Sequence, residues 1–354
     1  MDKGKKGKKG KNEFMSRTER YKSAGVDLDA AAFAKQRISA AVSSTQTPLT
    51  IGGFGAFGGM VRVPQDIDDP ALVMSTDGVG TKVLVAILAG IHDTVGEDLL
   101  NHSVNDILVH GAKPIAFLDY IAGSHMEVDT IAGLVEGVAR GCRAHDMALV
   151  GGETAQMPDV YHPGHYDLAG TVVGVVTESA ALHGDAVAPG DQVIGYASTG
   201  LHTNGYTLAR QIVLDEMGLA IDDEIPGVGA TVAEALLAVH RSYYGVVYPV
   251  IGKMHALAHI TGGGIPGNLE RPLPNGCGAR VDRSTWTVPP LFQVLQEAGK
   301  VDEEEMFRVF NMGIGMIAIV PQIHADEVRT YAEREGVETW VIGEIVAGDG
   351  VEIN

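Results

Sequence analysis

The stretch TVGEDLLNHSVNDILVHGAKP, Thr94 to Pro114, decides how the fold is read. Its apolar residues Val95, Leu99, Leu100, Val104, Ile107 and Leu108 recur at helical spacing and share one side. Asp98, Asn101, His102 and Asn105 descend the opposite side at i, i+3, i+4 and i+7, with Asp106 at the margin. A helix is therefore expected over 94–109, closed by Gly111 and by a proline that prevents continuation. Its apolar side needs a core; its polar side is either solvated or aimed at a ligand.

Working outward, Pro114 to Tyr120 reads as a strand, Thr130 to Ala144 as a helix and Ala148 to Val150 as a strand. Leu168 to Val176 is a further apolar run. Upstream, Asp27 or Asp29 caps a helix running to about Val42, and Ala71 to Met74 forms a short strand. Alternating helices and strands indicate an α/β (α+β) class protein. ALHGDAVAPGDQ, Ala181 to Gln192, gathers turn formers before a strand at Val193 to Ala197, so the boundary between two domains is expected near 178–190. The implied division is a leader over 1–18, a first domain over 19–180 and a second over 181–354. In the second half, helices are expected at Gly205–Met217, Ser242–Ala258 and Ala325–Glu335.

At 354 residues the chain is long enough for two ordinary domains, each with its own core. Its 46 glycines exceed the roughly 25 expected at about 7% usage, which assigns the excess to turns or binding loops. Cys142 and Cys277 stand far apart, so they read as inert thiols in a reducing, cytoplasmic setting. The longest near-apolar run, Val83 to Ile91, is far short of the roughly 18 residues that cross a bilayer, and no apolar signal core opens the chain. Net charge is −19, although residues 1–14 carry six lysines against Asp2 and Glu13. The rest is thus more acidic still, and neither nucleic acid nor membrane is an expected partner. The Lys/Gly leader has nothing to bury and reads as disordered.

Four segments at element junctions bear on chemistry. GGFGAFGG, Gly52 to Gly59, offers bare backbone that wraps phosphates or simply bends; it lacks the lysine and hydroxyl of a P-loop. STDGVGTK, Ser75 to Lys82, ends a strand at Asp77 beside exposed N–H donors, which suits Mg²⁺ held with phosphate oxygens, and Lys82 is placed to neutralise charge. NDILVHGAKP brings Asp106 to a comparable junction. VGGETAQMP, Val150 to Pro158, sets Glu153 after a strand and a Gly-Gly turn. Asp77, Asp106 and Glu153 together form a candidate site for a hard cation.

Two histidine segments follow, GLHTNGYTLAR (Gly200 to Arg210) and HITGGGIPGN (His259 to Asn268). A histidine near a transferring phosphoryl group donates a proton or stabilises charge; otherwise it is a structural side chain. Neither a zinc-type helix nor a nucleophile elbow is present.

In this order, the segments YKSAGVD (Tyr21 to Asp27), STDGVGTK, D-x-x-x-x-G-A-x-P (Asp106 to Pro114), GGETAQMP, GLHTNGY and HITGGGIPGN resemble the aminoimidazole ribonucleotide synthetase family, the phosphoribosylformylglycinamidine cyclo-ligases. The resemblance runs from Tyr21 to about Val346. It implies a homodimer whose N-terminal mixed sheets build a shared β-barrel flanked by helices, with a C-terminal α/β sandwich domain beside each. It implies ATP and Mg²⁺ as cofactors and a phosphorylated ribonucleotide as substrate, closed to aminoimidazole ribonucleotide with release of ADP and phosphate. By the same resemblance Lys22, Gly53 and Gly55 contact phosphates, while Asp77, Asp106 and Glu153 hold the metal or its waters. Gly78, Lys82, Asn105 and Thr154 support the nucleotide site, and His202, Asn204 and His259 face the reacting groups.

Relatives sharing the D-x-x-x-x-G-A-x-P pattern supply rivals. Selenophosphate synthetase calls for a cysteine near the N-terminus and the hydrogenase maturation relative for one at the C-terminus; this chain has neither. Thiamine monophosphate kinase is opposed by HTNGY. A non-catalytic nucleotide-binding dimer is opposed by the complete carboxylate and histidine set.

Overall fold

The computed structural model describes residues 28–53, 55–125 and 127–354. The leader, the YKSAGVD segment and Lys22 lie outside the described residues. Helix α1 (Leu28–Ser43) leads into a two-stranded hairpin, β1 (Thr50–Ile51) with β2 (Met60–Val61). The described glycines of the run 52–59, Gly52, Gly53, Gly55, Gly58 and Gly59, lie between the two strands of this hairpin. Next come β3 (Pro70–Gly78), α2 (Lys82–Ala89), α3 (Asp93–Leu108), β4 (Lys113–Gly123), α4 (Val128–Ala144), β5 (Ala148–Gln156) and β6 (Tyr166–Thr177). These strands form a mixed sheet in the order β3-β6-β4-β5, antiparallel except for the β4–β5 pair.

Beyond residue 191 a six-stranded sheet takes over, built from β7 (Gln192–Ala197), β8 (Ala256–His259), β9 (Cys277–Val281), β10 (Ile314–Val320), β11 (Thr339–Ala347) and β12 (Val351–Ile353). Its order is β12-β9-β11-β7-β10-β8, with only β12 and β9 parallel. The helix expected over Ser242–Ala258 is a correction. Only Tyr244–Val247 is α-helical, a 3₁₀ stretch covers Tyr248–Lys253, and the last residues join the sheet as β8. Pro249 lies inside the expected helix, where it removes an N–H and crowds the preceding turn.

Helix α3 follows the expected period, and Val95, Leu99, Leu100, Val104, Ile107 and Leu108 are all fully buried. Each contributes about 1.5–3 kcal/mol by leaving water. Its crossing with α4 is unusually close. A Cβ on Gly96 would meet the Leu134 carbonyl oxygen at 2.1 Å, and one on Gly137 would meet that of Asp93 at 1.9 Å. The glycine surplus therefore serves helix packing as well as turns, a correction to the loop-only reading.

Except at His102, the polar row of α3 is neither solvated nor open to a ligand. Asp98, Asn101, His102 and Asn105 are all buried, and three of them cap the backbone of residues 240–243. Asp98 Oδ1 accepts the His240 N–H at 2.7 Å, and Asn101 Nδ2 donates to the His240 carbonyl at 2.8 Å. Asn105 donates to the Arg241 carbonyl at 2.8 Å and accepts the Tyr243 N–H at 2.9 Å. Buried backbone groups need such partners, so this helix is the seam between the two halves. The largest apolar core runs through both.

Candidate active site

Lys82 opens α2 but points inward with a fully buried side chain. Its Nζ lies 2.7 Å from Asp98 Oδ2 and donates to the carbonyls of Ala238 (2.7 Å) and His202 (3.1 Å). Burial pushes the ammonium down and the Asp98 carboxyl up, while the pairing opposes both shifts. Expected as a phosphate-neutralising residue, Lys82 is instead a cross-link between the halves. Asn105, also expected at the nucleotide site, is fully occupied at the same seam.

At the C-terminal end of β3, Asp77 Oδ1 accepts the Gly78 N–H at 2.6 Å, and Oδ2 lies 2.7 Å from His102 Nε2. Ser75, two residues earlier on the same face, donates to Asp106 Oδ2 at 3.1 Å. One helical turn after His102, Asp106 presents Oδ1 to His259 Nδ1 at 2.9 Å, from the end of β8 in the second half. Helix α3 thus supplies the middle of a row that β3 and β8 complete.

Burial alone would raise Asp77 and Asp106, but the bonds and charge of His102 and His259 hold both carboxyls below their ordinary value. His102 is raised: desolvation opposes the imidazolium, yet Asp77, Asp106 and Asp98 outweigh it. His259 is lowered, because burial exceeds the help of Asp106.

Two openings meet at Asp106, Thr261 and Arg271. One, of about 580 Å³, is bordered by Asp77, Asp167, His102, Thr203 and Asn204. The other, of about 430 Å³, runs past His259 toward His110 and His183. Asn204 Nδ2 is buried without a hydrogen-bond partner, a donor available to a ligand. Arg271 borders both openings and makes no ion pair among the described residues. It follows the glycine segment without periodicity or motif, and sequence reasoning passed over it.

His202, expected beside the reacting groups, stands one layer back. It is 1% exposed, stacks on His240 with ring centroids 4.0 Å apart, and accepts the Thr199 N–H at 3.2 Å through Nε2. Its φ of 61° is a left-handed conformation that costs a non-glycine residue energy. Gly315 makes room for it, since a Cβ there would approach His202 Cε1 to 2.4 Å.

Glu153 does not join Asp77 and Asp106. Register aligns Asp77 with Gly170, Gly170 with Asp119, and Asp119 with Gly152. Glu153 thus stands three strands from Asp77, about 14 Å at the usual strand spacing. It borders a separate cavity of about 420 Å³ with Gly55, Thr154 and Asp119. Gly53, by contrast, is exposed in the hairpin loop. The three-carboxylate convergence is corrected to two carboxylates with two imidazoles.

In that second cavity, burial pushes the Asp119 carboxyl up to about 7. Its folded pKa lies above the ordinary carboxylate value, so stability is lost as pH rises through 7. Asp119→Asn is expected to stabilise the chain at pH 8 and change little at pH 4, as urea unfolding at the two pH values would read.

The fold and this two-part site define an AIR synthase related protein. The N-terminal domain family of that description matches residues 58–176 and the C-terminal domain family residues 188–354. The phosphoribosylformylglycinamidine cyclo-ligase of Sorangium cellulosum So ce56 is 46% identical over 92% of this chain and 95% of its own. That of Desulfatibacillum aliphaticivorans is 45% identical over 94% and 97%. The chain belongs to the phosphoribosylformylglycinamidine cyclo-ligase family. Among solved structures, thiamine-monophosphate kinase from Stenotrophomonas maltophilia K279a shares the fold with TM-score 0.67 at 18% identity, covering 90% of this chain and 96% of its own. The hydrogenase maturation protein HypE in complex with ATP gives 0.61 at 17% identity, covering 88% and 86%.

Proposed function

We propose that the protein closes the imidazole ring of formylglycinamidine ribonucleotide in de novo purine biosynthesis, consuming ATP and releasing ADP and phosphate. The observation that carries this reading is the row Asp77–His102–Asp106–His259, drawn from both halves of a chain about 45% identical to cyclo-ligases over nearly its full length. The thiamine monophosphate kinase alternative has only a likeness of fold behind it.

The chemistry needs an amide-type oxygen turned into a leaving group. The γ-phosphoryl group passes to the formyl oxygen and releases ADP; the amidine nitrogen then attacks that carbon, loses a proton, and the oxygen departs with phosphate. Positioning and charge neutralisation are the main demands of such a transfer. Asp77 and Asp106 are carboxylates suited to Mg²⁺, which would cancel phosphate charge when bound. The acidic opening beside them suits the metal-nucleotide, and the opening rimmed by Arg271, His110 and His183 suits the ribonucleotide phosphate. Asn204 offers its free amide donor, and His259 lines the second opening beside Asp106. Gly55, Thr154 and Lys22 remain assigned to phosphate and nucleotide contacts.

In the test, ADP release is followed with formylglycinamidine ribonucleotide as the required second substrate. Turnover with thiamine monophosphate and none with the purine precursor would overturn the assignment.

The division near 178–190 and the homodimer belong to the same reading. Ser75 points toward α3, so Leu72 and Met74, 50% and 60% exposed, line the opposite face of β3, an edge strand. An apolar face on an open edge invites pairing with a second copy. Leu72→Asp with Met74→Asp is expected to convert dimer to monomer in sedimentation equilibrium. Among the described residues, no helix is long and apolar enough to cross a membrane.

A further inference from the structure

Between α1, α4 and the edge strand β5 lies the cavity of about 420 Å³ that Asp119 borders. Its volume falls within the roughly 300–1,000 Å³ typical of small-molecule sites. The walls are mostly apolar, with Ala34 and Ile38 from α1, Ile131 and Val135 from α4 and Leu149 from β5. Such a lining suits a flat, largely uncharged ligand held by a few polar groups.

Asp119 reaches the cavity because its neighbours in the sheet are glycines. Register sets it between Gly170 and Gly152, and a Cβ on Gly152 would meet Asp119 Oδ1 at 1.7 Å. The carboxyl therefore lies over Gly152, in space that any other residue there would fill. Among the described residues its own N–H supplies its hydrogen bond, and no side chain pairs with it. The titratable groups around it are Lys35 of α1 and Glu153 of β5, which share the cavity wall, and the Cys142 thiol of α4; β6 faces it with Gly170. Desolvation outweighs them and pushes the carboxyl up to about 7.

A neutral carboxylic acid sets one O–H donor beside one C=O acceptor. Its complement is an acceptor and a donor side by side, as a ring nitrogen next to an amino substituent provides. An ammonium fits poorly: it brings three donors and a charge that is costly to desolvate, and Lys35 already stands on the same wall.

We propose that this cavity binds an amino-substituted nitrogen heteroaromatic ring of the aminopurine type, read by Asp119 through one donated and one accepted hydrogen bond. Two sources carry such a ring: the base of the ATP consumed in the proposed reaction, and a free purine nucleoside acting as an effector. For the first source the inference rests on the cyclo-ligase reading; for the second it stands apart from it.

The test uses the full chain and equilibrium dialysis against radiolabelled adenosine. Only the neutral acid offers both bonds, so affinity follows its fraction, and adenosine is expected to bind about tenfold more weakly at pH 8 than at pH 6. N6,N6-dimethyladenosine has lost both amino protons and is expected to bind about tenfold more weakly than adenosine at pH 6. Asp119→Asn keeps a donor beside an acceptor, so it is expected to retain binding and lose the pH dependence. Asp119→Leu is expected to abolish binding. Should a variant fail to fold, the wild-type pH profile and the dimethyladenosine comparison decide.

No retained adenosine, equal affinity at pH 6 and pH 8, dimethyladenosine binding as tightly as adenosine, or wild-type binding by Asp119→Leu each overturns the proposal. In that variant, a KM for ATP raised in step with the lost adenosine affinity assigns the ring to ATP, and a wild-type KM assigns it to an effector. Adenosine binding with the expected pH profile in a protein that closes no ring sinks the cyclo-ligase reading alone. Turnover of the purine precursor without adenosine binding sinks the cavity alone.

Discussion

Asp106→Asn is expected to lower kcat by about 10²–10³-fold, the usual loss when a charge-stabilising group leaves a catalytic site. The side chain is only partly exposed, yet its contacts are polar: Ser75 at 3.1 Å, His259 at 2.9 Å and His102 at 3.7 Å. An asparagine keeps the shape and the Ser75 bond but lacks the charge proposed to hold a cation between the halves. The melting temperature is therefore expected to stay within a few degrees of wild type while turnover collapses. Near-wild-type turnover in the folded variant would remove Asp106 from the reaction.

Lys82→Met reverses that pattern. Removing one partner of a buried ion pair leaves the other charge unpaired, at a cost of about 3–5 kcal/mol. Asp98 would then be stranded in a fully buried position, and the Ala238 and His202 carbonyls would lose their donor. Urea unfolding should register the full loss. Lys82→Met with Asp98→Asn keeps an acceptor for the His240 N–H while removing the charge, and is expected to lose distinctly less. Equal losses in the single and double variants would show that the charge is not the cause.

Most of the first half was legible because its helices and strands obey their own periods. Helix α3 was expected over 94–109 and is found over Asp93–Leu108. The destiny of its polar row was hidden, because helical spacing says which residues share a side and nothing about what later covers them. That cover is residues 238–243, whose backbone groups carry no pattern. The same ignorance made Lys82 read as a phosphate ligand and Glu153 as a neighbour of Asp77; a strand end is visible in sequence, its position in the sheet order is not. His259 was singled out by its glycine segment. His240 was missed, because in AVHRSYYG it stands outside any motif and becomes meaningful only through Asn105.

The seam along α3 has a consequence for how such proteins can change. Asp98, Asn101 and Asn105 read the main chain of the other half, and their neighbours His102 and Asp106 border the opening beside Asp77. Grafting the second half of a distant relative onto this first half would ask residues 238–243 to meet a foreign row of donors and acceptors. A chimera that mismatches them would forfeit assembly and chemistry together, so recombination across this boundary succeeds only when helix and loop travel as one inherited block.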